Sequence, residues 1–307
     1  MHLPTRRVAV STLLVLCVAL ASACGDGSED DATTPAATSG QSPDGSSPTP
    51  TTSPTTSTSP SSPATSKGPV WTSFDGPLQR CGPQPHSVLD APFDPVTLRD
   101  PSIGRIPAVR LGSGPVVVVL LHQTDGNGFC GWLPFMPAAA DAGLTVLAVD
   151  LCGYGRATCR ADTDGTFTDA DQTDPVELAL RYARTTLHAE RVVVAGASMG
   201  GSVALMSAAT LPGIAAAVDL SGPVEWTGME VVRRGRALDV PVLLAMATSE
   251  GPEEAAGAQE IVANAPAGSR LLTPDEGHGY VLLTDDEGGV LPLARDVLDW
   301  ILKTPGG

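Results

Sequence analysis

The segment RVVVAGASMGGSVALMS, residues 191–207, sets a serine among glycines directly after an apolar run. Ser198 is the centre of Gly196-Ala197-Ser198-Met199-Gly200, a G-x-S-x-G pattern. A serine hydroxyl is a weak nucleophile until a base takes its proton, so chemistry here needs a histidine, and the histidine needs an acid to orient it. Of His2, His86, His122, His188 and His278, only His278 follows Ser198 in the chain. It lies between glycines in DEGHGY, the composition of a loop rather than of a core. Glu250, just beyond VPVLLAMA, is the leading acid between the two, and Glu225 is the second choice. Glu253 and Glu254 read as first-turn carboxylates of the next helix, favoured by its positive end. The five-residue pattern alone also fits an ordinary glycine-rich turn, so its context decides.

That context is an alternation of short apolar runs with helical segments. The runs are 115–122, 144–150, 191–196, 214–222, 240–247 and 269–275. Their hydrophobicity is continuous, the mark of strands buried on both faces as parallel strands are. Helical character appears at 133–143, 174–187, 202–211 and 251–265, with Asp174 as N-cap and Pro175 at the first helical position of the second. The pattern predicts a doubly wound, mostly parallel α/β sheet over 70–307, whose sites gather at the carboxyl ends of strands. Ser198 is then at a tight strand-to-helix turn, with its neighbours kept small because the backbone doubles back there.

The order Ser198, Glu250, His278 on this pattern resembles the α/β-hydrolase family over roughly residues 105–303. VVVVLLHQTDG is similar to the family's segment carrying the oxyanion loop, TVLAVDLCGYGRA to its strand ending in D-x-x-G-x-G, and PVLLAMATSE to the strand ending at the acid. The resemblance implies an oxyanion hole made by the backbone N–H of Met199 and one from the Gln123–Thr124 turn, with Thr124 preferred. His122 is upstream in chain order and reads as a structural hydrogen-bonder. Gln123 stands where many members have glycine, which is similar to dienelactone-hydrolase-like members; their nucleophile is cysteine, whereas serine stands here. Trp132 and Phe135 either wall an acyl pocket or pack a helix.

Residues 1–23 have the form of a secretion signal: Arg6 and Arg7, an apolar middle, then Ala21-Ser22-Ala23 before Cys24. The apolar run is short for a membrane span, although an uncleaved anchor is the competing reading. Cys24 resembles the lipidated cysteine of bacterial lipoproteins, with simple cleavage after Ala23 as the alternative. Residues 24–69 are nearly all Ser, Thr, Pro, Ala, Gly and Asp and bury too little to order themselves, so a disordered spacer is expected. The chain is thus expected to be exported and held by lipid at the outer face of a bacterial cytoplasmic membrane or cell envelope.

Cys81, Cys130, Cys152 and Cys159 remain, which in an exported domain means two disulfides. Cys152 and Cys159 lie close in a loop, leaving Cys81 for Cys130. Zinc is the rival reading, but the spacings are irregular and no histidine accompanies them. The acidic run 162–174 lacks the full calcium-loop pattern and reads as a solvated loop. No metal or cofactor is implied. A net charge of −16 argues against nucleic acid and against electrostatic adhesion to anionic membranes. The sum points to an exported serine hydrolase acting on small or surface-borne esters, since residues 223–239 leave no room for a large lid. An acyltransferase or peptidase with the same triad, and a noncatalytic binding lipoprotein on the same fold, stay open.

Overall fold

The computed structural model describes residues 71–124, 127–160, 172–233 and 238–305. The signal, Cys24, the spacer up to residue 69 and most of the acidic run (162–171) lie outside them. Among the described residues no helix is long and apolar enough to cross a membrane.

The apolar runs form strands where the sequence places them. An N-terminal ribbon, β1 (Trp71–Ser73) with β2 (Pro83–Pro85), leads through the short helix α1 (His86–Leu89) to the antiparallel pair β3 (Asp94–Asp100) and β4 (Gly104–Leu111). The parallel layer then begins with β5 (Val116–Leu121), α2 (Met136–Asp141) and β6 (Thr145–Val149). After the two-residue β7 (Thr158–Cys159) come α3 (Thr173–Thr185), β8 (Arg191–Ala197), α4 (Met199–Thr210) and β9 (Ala216–Leu220). The short α5 (Glu230–Arg233), β10 (Val242–Ala245), α6 (Pro252–Asn264), β11 (Arg270–Leu272) and α7 (Pro292–Lys303) complete the order.

The large sheet runs β11-β10-β9-β8-β5-β6-β4-β3, with β7 on β4. Its centre is parallel, and β3, β4 and β7 add antiparallel pairings at one side. Neither β3 nor β4 is foreseen by the apolar runs. DPVTLRD and GRIPAVRL alternate exposed and buried positions and contain Pro95 and Pro107, features of strands near a sheet edge. Helix α3 also begins earlier than expected: its N-cap is Gln172, not Asp174, which falls in the first turn. The Gln172 side chain donates to the Cys152 carbonyl at 3.0 Å, tying the helix start to the loop after β6.

Successive residues of the central strands face opposite cores. Val117, Val119, Val192 and Val194 join α3, α4 and α6 on one face. Val118, Leu120, Val193 and Ala195 join α2 and α7 on the other. Burial on both faces is why these strands carry no polar alternation. Helix α4 is buried from Met199 to Ser207, so it serves as a core element rather than as a surface stripe.

One acid is enclosed by this packing. Asp219, on β9, is 1% exposed; its Oδ1 accepts the Gly222 N–H at 2.6 Å, and its Oδ2 has no hydrogen-bond partner among the described residues. Burial pushes its carboxyl up from 3.8 to about 7, partly offset by the Gly222 donation, with the Glu254 charge adding to the rise. The folded state therefore prefers the protonated acid. Its stabilising contribution is complete below the unfolded value near 3.8 and is lost as pH rises toward 7. Urea titrations of wild type and Asp219→Asn should show the stability of wild type falling relative to the variant across that window, by at most about 1.4 kcal/mol per pH unit, and levelling above it. A difference that does not vary with pH would refute the assignment.

Candidate active site

Strand β8 ends at Ala197 and α4 begins at Met199, leaving Ser198 alone to reverse the chain. Its backbone has φ 51° and ψ −123°, a conformation rare for a residue with a Cβ. The glycines make this turn possible. A Cβ on Gly196 would overlap the Gly200 backbone, and one on Gly200 would overlap the carbonyl of Leu121 at the end of β5. The turn is pinned by Ser198 N–H donating to the Leu220 carbonyl at 2.8 Å and by Gly201 N–H donating to the Ser198 carbonyl at 2.7 Å. Met199, first in α4, has an N–H that no preceding helical carbonyl can take.

His278 and Glu250 are brought together directly. His278 Nδ1 lies 2.7 Å from Glu250 Oε1, with the imidazole half exposed and the carboxylate mostly covered. Donation of Nδ1–H to the acid leaves Nε2 as the acceptor nitrogen. The acid follows β10 on the short turn Thr248–Glu250. That turn is bonded to the histidine loop by Thr248 Oγ1 and Ser249 N–H, both donating to the Asp275 carbonyl. It is Glu250, not the second candidate Glu225, that meets the imidazole. Ser198 is reached through its neighbours: a Cβ at Gly279, next to His278, would come within 3.3 Å of the Ala197 Cβ. The Ser198 hydroxyl and His278 make no hydrogen bond to each other in this arrangement; catalytic contacts of free enzymes often tighten only on binding.

The turn expected to carry the second oxyanion donor, Gln123–Thr124, follows β5. His122 is fully buried; its Nε2 accepts the Leu151 N–H at 2.9 Å, so its Nδ1 carries the proton and donates to the Gln123 carbonyl at 2.6 Å. Burial lowers the pKa of His122 and keeps it neutral, the structural role expected for it. In a planar trans peptide the Gln123 carbonyl and the Thr124 N–H point in opposite directions. Holding that carbonyl toward His122 therefore aims the Thr124 N–H away from the core. The Gln123 N–H is engaged elsewhere: it donates to Tyr280 Oη at 2.9 Å. Of the two N–H groups expected at this turn, that of Gln123 is already engaged.

A second polar centre is built around Asp150. Asp150, wholly buried after β6, receives Arg80 Nη2 at 2.7 and 2.9 Å, Phe129 N–H at 3.0 Å and Arg156 N–H at 2.8 Å. Gly155, at φ 57°, passes so close that a Cβ would strike the carboxylate, which accounts for the D-x-x-G-x-G spacing. Arg80 also donates to the Asn127 carbonyl at 2.6 Å and lies 4.1 Å over the Phe129 ring. The disulfide Cys81–Cys130 fastens the same two segments, and Cys152–Cys159 closes the loop after β6, both as expected. Arg80 escapes sequence reasoning because nothing in residues 76–81 marks a partner 70 positions away. Trp132 and Phe135 are 1% and 4% exposed and pack into the core with Tyr280, so helix packing accounts for them.

A family model described as "alpha/beta hydrolase fold" matches residues 116–252. Among solved structures, an esterase from Pyrococcus furiosus superposes with a TM-score of 0.58 at 15% identity, covering 72% of this chain and 94% of that one. Dienelactone hydrolase from Anabaena variabilis gives 0.52 at 16% identity, covering 70% and 98%. An alpha-beta serine hydrolase homologue from Coxiella burnetii gives 0.51 at 11%, covering 68% and 96%. No curated protein sequence matches the chain. Sheet order, matched segment and superpositions together give this chain the α/β-hydrolase fold.

Removing Arg80 would strand the Asp150 charge in the core. Arg80→Met is expected to lower the unfolding free energy by about 3–5 kcal/mol, the usual cost of breaking a buried pair from one side. Chemical denaturation checks this, and a loss within error of zero would refute it.

Proposed function

We propose that this chain is a serine hydrolase of carboxylic esters working through an acyl-enzyme. The observation that carries the reading is the His278–Glu250 pair held beside a strained serine turn, in the order and at the strand ends that acyl transfer requires.

In the proposed cycle Ser198 Oγ attacks the ester carbonyl carbon while His278 Nε2 takes the hydroxyl proton. Charge collects on the carbonyl oxygen, where the Met199 and Thr124 N–H groups receive it; two such donors contribute several kcal/mol, about 3 or more apiece. Glu250 holds the imidazole in the Nδ1–H tautomer and stabilises it once charged. The intermediate collapses, the carbon–oxygen bond to the alcohol breaks, and His278 returns the proton to the departing alkoxide. Water repeats the sequence on the acyl-serine, yielding the carboxylic acid and free Ser198. Transfer to another alcohol, or expulsion of an amine, would use the same groups and gives the acyltransferase and peptidase versions.

The short connection between β9 and β10 supports small or surface-borne esters over long buried chains. Cys24 and the spacer support export and a lipid tether, in keeping with two disulfides in the folded domain.

The wild type should hydrolyse p-nitrophenyl acetate and be labelled at Ser198 by a fluorophosphonate. Ser198→Ala should abolish labelling and lower kcat by at least about a thousandfold, and Glu250→Gln should lower it by about a hundredfold or more. Folded wild type that takes no label, or turnover indifferent to Ser198→Ala, would leave a noncatalytic binding protein as the better description. For the tether, mass spectrometry of the mature N-terminus should find a lipid-modified Cys24; an unmodified terminus would remove it.

A further inference from the structure

We infer that Tyr280 is a positioning residue that holds the oxyanion turn in register with the histidine loop, an inference resting on the hydrolase reading above. Tyr280 stands two residues beyond His278, on the 3-10 turn Gly279–Leu282. Its phenol oxygen accepts the Gln123 N–H at 2.9 Å, across a sequence separation of 157. The residue is 9% exposed, its ring meets Trp132 edge-on with centroids 5.1 Å apart, and a Cβ on Gly131 would overlap it. The packing leaves the ring little room to turn away from the bond.

Gln123 is thereby held at both of its peptide groups. The peptide before it is fixed by Tyr280 through the N–H, and the peptide after it by His122 through the carbonyl. The second of these planes carries the Thr124 N–H. With both planes fixed, that donor cannot swing as charge develops on the substrate oxygen, and preorganisation of this kind is what makes an oxyanion hole effective. The contact is doubled by the Gln123 side chain, whose Oε1 is buried without a hydrogen-bond partner among the described residues and lies where a Cβ on Gly279 would sit. Gly279 in turn lies against Ala197, the neighbour of Ser198. One tyrosine oxygen and one glutamine thus join the nucleophile turn, the oxyanion turn and the histidine loop.

This role differs from substrate binding or core filling in what it would disturb. Tyr280→Phe keeps the ring and the Trp132 contact and removes the hydroxyl that accepts the Gln123 N–H. With p-nitrophenyl acetate as probe, kcat should fall about tenfold or more while KM stays within about twofold, because the lost interaction is used in the transition state. The affinity for an aryl trifluoromethyl ketone, which presents the charged oxygen, should weaken by the same factor as kcat/KM. Melting temperature and the near-ultraviolet signal of the tryptophans report whether the fold is kept. Amide hydrogen exchange gives a readout independent of turnover: the Gln123 amide should lose protection in Tyr280→Phe while that of Leu121, within β5, keeps it.

Unchanged kcat and ketone affinity in Tyr280→Phe, with wild type labelled at Ser198, would overturn the positioning role and leave the hydrolase reading standing. An equal fall across kcat, stability and the protection of β5 would overturn it as well, since that is a packing defect. Wild type that is never labelled at Ser198 would remove the hydrolase reading, and this inference with it.

Discussion

A residue with a Cβ is held at φ 51° at the top of the sheet, and the surrounding backbone exists to keep it there. Such a conformation costs on the order of 1–3 kcal/mol and survives only where its neighbours over-determine it. Here the Leu220 carbonyl takes the Ser198 N–H, Gly201 and Ser202 return to the Ser198 carbonyl, and Gly196 and Gly200 allow strand and helix backbones to touch. The same close approach draws the end of β5 under Gly200. The Ser198 turn and the turn after β5 are therefore consequences of one packing event, and α4, which starts inside it, is buried from Met199 to Ser207.

Buried polar groups around this point are handled in three different ways. His122 is kept neutral by burial and spends both ring nitrogens on backbone groups. Asp150 is paired with a buried arginine and receives two N–H donors besides. Among the described residues Asp219 has one donor and no cation, so desolvation dominates and its carboxyl rises to about 7. The difference between the two acids is Arg80, which arrives from the N-terminal segment and is secured by the adjacent disulfide. That segment thereby fastens Asn127 and Cys130.

Likeness to solved esterases and hydrolases at 11–16% identity establishes a shared fold, and folds of this kind host many activities. What separates this chain from its fold is the detail of its loops. A glutamate rather than an aspartate meets the histidine, and Gln123 is clasped between His122 and Tyr280.

Sequence alone determined whatever depends on neighbours along the chain. Strands buried on both faces show as unbroken apolar runs, the serine turn as glycines at fixed offsets, and the Glu250–His278 pair as a carboxylate and an imidazole in loops past strand ends. The edge pair β3–β4 was not legible, because half-exposed strands containing proline and charge look like loops. The start of α3 was misplaced because its cap is tied to a loop 20 residues upstream and not to its own first turn. Tertiary structure alone decided which tyrosine accepts the Gln123 N–H and which arginine neutralises Asp150. Each of those choices is a directional bond between residues 70 to 157 apart, formed only when burial makes an unpaired donor or acceptor costly. Local pattern records which side chains prefer to be buried; it holds no record of the partners they meet once they are.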